Sequence, residues 1–246
     1  MKSTQQNKQA GFTLVELSIV LIIIGLIVGG VLAGQSLIRS ARLQNDIAKY
    51  NQIDSSFNGF NLRYSGLPGD ASNAASFFTG TSQPTQVTNG NGDGVVAAAA
   101  STNFIGTEIA SVYDHLAAAG MVALGQYDET ANASNAINIG ILPSRTSGGI
   151  IVYGGNGQNF IRFGIVSNAA AAGINFSNAF TPEQVSFIDN RLDDGVATSG
   201  LVTSAGTTDT STAGDTTATT GCNSAAGVYT LGNTATACSF RIRLSS

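Results

Sequence analysis

The chain has 246 residues, 11 lysines and arginines against 15 aspartates and glutamates, and one histidine, for a net charge of -4. Charged residues make up only 11% of it and no basic cluster occurs, which excludes a nucleic-acid surface held by counterion release. Gly, Ala, Ser, Thr and Asn dominate the second half, a composition that fits an exported, turn-rich domain better than a cytosolic enzyme.

Residues Met1 to Gly11 form a polar leader carrying Lys2 and Lys8. Gly11-Phe12-Thr13-Leu14-Val15-Glu16 follows, and then an uncharged apolar run from Leu17 to Gly34. An ordinary secretory signal places its apolar region before its cleavage site. Here the order is reversed, so a cut after Gly11 keeps the apolar stretch in the mature chain. Phe12 to Ile38 is longer than the roughly 20 residues with which a helix crosses about 30 Å of hydrocarbon. One acid, Glu16, lies near the start of that span, where an unpaired carboxylate is unfavourable unless it reaches the headgroups. Cutting after Gly11 also exposes an α-amine on Phe12, four residues before Glu16. The two groups can meet on one helix face or between neighbouring chains in a lateral array.

At these residues the sequence resembles the bacterial type IV pilin and type II secretion pseudopilin family, with its class III prepilin leader. The resemblance implies that Gly11 ends the leader, Phe12 is the N-methylated first mature residue, and Glu16 is the acid used in assembly. It implies a structural filament subunit rather than an enzyme, with the leader cytoplasmic and the C-terminal domain periplasmic. The expected partners are prepilin peptidase/methyltransferase, an inner-membrane assembly platform, and copies of itself or related pilins. The precursor is expected in the inner membrane and the product in an extracellular or periplasmic filament. An alternative within the resemblance is a minor pilin or pseudopilin of a secretion or DNA-uptake system, acting as a tip or binding module. Charge does not orient the span, because Lys2 and Lys8 balance Arg39 and Arg42. One departure is Ala33, where many pilins have proline; Gly25, Gly29, Gly30 and Gly34 supply the flexible points instead.

Beyond the span, Leu43, Ile47, Tyr50, Ile53, Phe57, Phe60 and Tyr64 recur at three- and four-residue intervals, the pattern of an amphipathic helix. With no proline before Pro68, one helix from about Phe12 to about Leu62 is expected. The fold class is therefore α+β: a long N-terminal helix, transmembrane and then amphipathic, packed on a C-terminal antiparallel sheet. The domain plan is a cleaved leader at 1–11, a transmembrane and filament-core helix at 12–38, its amphipathic half at 39–64, and a globular head at 65–246.

Leu67-Pro68-Gly69-Asp70 reads as a turn, with Asp70 placed to cap a short helix through Phe78. Asn89-Gly90-Asn91-Gly92-Asp93-Gly94 offers Asn89, Asn91 and Asp93 as alternating oxygen ligands, the front half of a calcium loop. The rear half is missing, since Ala100 stands where the bidentate acid belongs, and Asn-Gly pairs are equally a tight-turn signal. A supplementary carboxylate could come from Asp70 or Glu108. A helix is expected from Thr107 to Ala119, stopped by Gly120 and carrying His115, which reads as a packing or hydrogen-bonding residue because no triad accompanies it.

Strands are expected at Gly149–Tyr153, Asn159–Ser167 and Ser239–Leu244, the last alternating Phe240, Ile242 and Leu244 inward against Arg241 and Arg243 outward. Thr181-Pro182-Glu183-Gln184 is a capping box with proline at the first helical position, opening a helix that Gly195 closes. The acids Asp193 and Asp194 at its end read as loop-bonding residues or a second cation site, with Arg191 and backbone amides as candidate partners. A Ser/Thr/Gly/Ala tract at 198–221 is expected to form a mobile surface loop. Cys222 and Cys238, an even pair in an exported chain, are expected to form a disulfide.

Overall fold

A computed structural model describes residues 13–79, 87–96, 108–122, 142–155, 157–169, 173–205 and 221–245. Gly11, Phe12, Ala100, Thr107 and the 206–220 part of the Ser/Thr tract lie outside these residues. The chain divides into two compact units, residues 1–41 and 42–246.

Helix α1 runs from Leu14 to Tyr64, 51 residues. In the first unit its apolar residues are solvent-exposed, from Leu14 at 87% to Ile38 at 55%, so the described residues offer them no core. This is a helix long and apolar enough to cross a membrane. In the second unit the same helix buries Leu43, Asp46, Tyr50, Ile53, Phe57 and Phe60, with Ile47 and Tyr64 partly buried beside them. The predicted stripe is thus the buried stripe, with one addition, Asp46. The helix ends where Ser65 turns to a positive φ of 54° and Gly66 and Pro68 follow.

Among its described residues the second unit adds the helices α2 (Ala74–Phe77), α3 (Glu108–Ala118) and α4 (Pro182–Leu192). Its described strands are β1 (Leu142–Pro143), β2 (Gly149–Gly155), β3 (Gln158–Ala169), β4 (Gly173–Ser177), β5 (Val202–Ala205) and β6 (Ser239–Arg243). They pair antiparallel in the order β1-β2-β3-β6-β5, with β4 on the end of β3. The molecule is α+β, as the sequence predicts.

Register explains the core. Ile150, Phe163, Phe240 and Ser204 form one cross-strand row, and Val152, Ile161, Ile242 and Val202 form the row two residues along on the same face. The rings of Phe163 and Phe240 stack at 4.8 Å, and Phe180 meets Phe240 edge-on at 5.0 Å. Tyr113 of α3 donates from its hydroxyl to the Ile150 carbonyl at 3.0 Å, pinning that helix to β2.

Three expectations change. β5 lies inside the tract predicted to be a mobile loop: Val202, Thr203 and Ser204 are buried because β6 gives them a ladder partner, which composition alone conceals. Arg241, predicted to face solvent, is only 5% exposed; it sits directly opposite the fully buried Arg162 in the β3–β6 register. Arg241 donates from Nε to the Thr203 hydroxyl and covers the Phe160 ring at 4.5 Å, while Arg162 donates to Ser239. Asp70, finally, does not cap α2: Asn73 occupies the cap position and makes no side-chain cap bond.

Cys222 and Cys238 are disulfide-bonded and fully buried. The bond closes a 16-residue separation, and Cys238 also exchanges backbone hydrogen bonds with Phe180. Cys238→Ser should therefore destabilise the second unit by about 3 kcal/mol on the loop-entropy model, read as a lower denaturant midpoint than wild type.

Candidate functional site

Glu16 sits in the first turn of α1, where Thr13 is the N-cap. The Thr13 backbone N–H and hydroxyl both donate to Glu16 Oε2, each at 2.8 Å, and the Glu16 N–H donates to Thr13 Oγ1 at 3.2 Å. This is a capping box, in which side chain and backbone satisfy each other's orphan donors at the helix start. A reading centred on the Phe12 amine missed it, although the Thr-x-x-Glu spacing carries the signal. Within a single chain, then, the only acid of the apolar span already has partners. Gly25, Gly29, Gly30 and Gly34 leave open space on the same helix, since a Cβ on any of them would meet nothing within 4 Å.

The Asn-Gly loop is built around Asp70, one of the two acids that the sequence offers to it. Asp70 is only 3% exposed, and its Oδ1 accepts the N–H groups of Gly92 at 2.7 Å and Asp93 at 3.1 Å. Its Oδ2 accepts that of Gly94 at 2.9 Å. Three successive amides converging on one anion form a nest, and the positive φ of Gly92 and Gly94 lets the backbone turn them inward. Asn89 Oδ1 accepts from the Ala75 N–H, Asn91 Oδ1 from that of Asp93, and Asp93 Oδ1 from that of Val95. Glu108 Oε1 accepts the Asn91 N–H at 2.8 Å. The structure therefore brings Asp70 and Glu108 to the loop. Each side chain offered there for calcium accepts at least one backbone N–H, and Asp93 Oδ2 also accepts from the Asn91 side-chain amide, so a cation would have to displace donors to gather the six to eight oxygens it needs.

The acids at the end of α4 do similar work. Thr181 and Gln184 form the predicted capping box at the other end of that helix. Asp189 is fully buried and accepts the Tyr229 hydroxyl at 2.7 Å and the Gly195 N–H at 3.1 Å. Asp193 accepts the N–H groups of Leu201 and Val202, and Asp194 accepts from Val196 N–H and the Ser199 hydroxyl. Burial raises the pKa of Asp189 against the hydrogen bonds that lower it. Burial and the neighbouring carboxylate likewise raise that of Tyr229. Asp189, Asp193 and Asp194 place carboxylate oxygens within 4.8 Å of one another, and each is bound to the loop it organises. Backbone amides, among the two predicted partner types, are those observed.

His115 is fully buried in α3, with Nδ1 accepting from Gly69 N–H and Nε2 at 2.8 Å from the Thr88 carbonyl. Both ring nitrogens are thus engaged by backbone, a structural arrangement.

Residues 6–32 match the model of the prokaryotic N-terminal methylation motif. The chain thus carries the class III prepilin leader typical of type IV pilins and pseudopilins, and the match covers the junction, Glu16 and most of the apolar run. No curated protein and no solved structure matches the chain.

Proposed function

We propose that this chain is a structural subunit of a type IV pilus-like filament, cut by prepilin peptidase after Gly11, N-methylated on Phe12, and polymerised through α1. The observation that carries the reading is the coincidence of the methylation motif at 6–32 with an α1 segment whose apolar side chains are exposed among the described residues. In the membrane lipid covers those side chains, and in a filament the same segment of other subunits does. The second unit then coats the filament, and the chain carries no chemistry of its own.

Packing without a hydrophobic driving force favours small residues that let backbones approach, and Gly25, Gly29, Gly30 and Gly34 supply them. The precursor resides in the inner membrane and its partners are the peptidase/methyltransferase, the assembly platform and further copies of the chain.

Two measurements test this. Filaments sheared from the cell surface and identified by mass should contain the chain from Phe12 onward as the dominant subunit; its absence from them, or presence only in traces, would favour a tip protein or secretion pseudopilin instead. Gly11→Ala should abolish processing, leaving a single band of precursor size on a gel. A mature-sized product from that variant refutes the cut site.

A further inference from the structure

We propose that His115 is an acid-released latch holding the 67–70 turn and the 87–96 loop against α3. The ring is fully buried and stacks on Phe60 at 5.8 Å between centroids. Its Nδ1 lies 2.9 Å from the Gly69 nitrogen and its Nε2 2.8 Å from the Thr88 carbonyl oxygen. A carbonyl only accepts and a backbone amide only donates, so Nε2 carries the hydrogen and Nδ1 the lone pair. One neutral tautomer thereby bridges two segments that lie on either side of α2 in the sequence.

Gly69 permits the approach. Its φ is +90°, and a Cβ there would fall 2.5 Å from the Glu108 carbonyl oxygen and 2.8 Å from Val112, so only glycine brings this turn onto α3.

Protonating Nδ1 sets one N–H against another at that distance in a buried site. The ring or the turn has to move. Burial already lowers the pKa of His115, while the Thr88 bond works in the opposite direction. The other titratable or charged groups on the elements packed around the ring are Glu108, Tyr113 and Asp114 on α3, Asp70 on the turn, Asp93 on the loop, and, on the last turns of α1 beside Phe60, Arg63 and Tyr64. Among the described residues the ring's hydrogen bonds go to none of them.

A histidine whose folded pKa is depressed stabilises the closed form fully above its unfolded value, near 6.5, and loses that contribution as the pH falls from there toward the folded value. Release would reach the nest, because Gly69 adjoins Asp70 and Thr88 adjoins Asn89, whose side chains hold Gly92, Asp93, Gly94 and Ala75. Neither bond of the ring reaches the sheet, and the loop is tied to β2 and β3 through Gly94 and Val96, so opening spares β5 and β6.

Amide exchange of the full chain in detergent, corrected for the intrinsic effect of pH, tests the latch. Between about pH 7.5 and pH 5, peptides from 67–70 and 87–96 should exchange about tenfold faster while those from β5 and β6 stay unchanged. His115→Gln, which keeps an uncharged donor and acceptor, should abolish that pH response even if its basal exchange is raised. A flat wild-type profile overturns the proposal. An equal acid response in the variant also overturns it, assigning the effect to Asp70, Asp114 or Glu108. If the variant exchanges globally, nitrogen-15 shifts of the single wild-type histidine decide. The Nε2–H tautomer should be lost together with loop protection, whereas a ring that titrates with no change in loop exchange refutes the latch.

Discussion

Glu16→Ala is expected to be cut after Gly11 as in wild type and yet yield at least about tenfold fewer filaments, since charge-assisted pairs are the strong ones in a medium without competing water. The peptidase junction, Gly11-Phe12, is untouched by this substitution, so processing and assembly separate. In the isolated chain the carboxylate is held by the Thr13 hydroxyl and N–H. That cis arrangement keeps the acid satisfied while the subunit waits in lipid, and it also means that a pairing with a neighbour's Phe12 amine has to compete with the cap. The alanine variant loses both. Its helix start frays within one turn, whereas the apolar span that inserts it is unchanged. Comparing mature protein in the membrane with protein in the sheared surface fraction reads the two steps. Wild-type filament yield from the variant would rule out the carboxylate as an assembly determinant.

What the sequence disclosed and what it withheld follow from how far each signal reaches along the chain. α1 was legible because its two halves repeat one pattern over many turns, an unbroken apolar run and then a three-four stripe from Leu43 to Tyr64. α4 was legible because Thr181, Pro182 and Gln184 carry its start locally. The short strands were not. β1 and β5 offer two and four residues, and β5 becomes a strand only because Ile242 and Phe240 of β6, some 40 positions on, supply its ladder. Arg241 misled for the same reason: alternation says which face a side chain takes, while burial of that face depends on the rest of the fold.

The candidate site shows the same limit. Thr-x-x-Glu at the head of α1 is a local code that could have been read. Asp70 could be read as a helix cap or as an acid supplied to the loop, but not as the centre of a nest, because nothing near it in the chain shows that distant glycines bring their amides to it. His115 was legible as a hydrogen-bonding residue, but its two partners, 46 and 27 residues away, were not.

Asp70→Ala is expected to destabilise the second unit by about 3 kcal/mol, the range for losing several charge-assisted hydrogen bonds around one buried acceptor, allowing for their non-additivity. Removing the carboxylate leaves the Gly94 N–H without its acceptor and strips the charge-assisted bonds from Gly92 and Asp93, which keep only the Asp70 carbonyl and Asn91 Oδ1, while a backbone bent by positive φ at two glycines has no strand or helix to offer instead. The damage should spread along the chain to Val96, whose N–H rests on Asn159 Oδ1 and whose carbonyl accepts from Gly154, tying the loop to β2 and β3. For a unit of this size about 3 kcal/mol corresponds to a Tm lower by about 6–12 °C, measurable by thermal melting of the full chain in detergent. Asp70→Asn separates charge from shape: it keeps one acceptor oxygen and turns the other into a donor facing an amide, so it should fall between wild type and alanine. If asparagine melts with wild type, the nest needs only an acceptor. If it melts with alanine, the negative charge is what the three amides were arranged to hold.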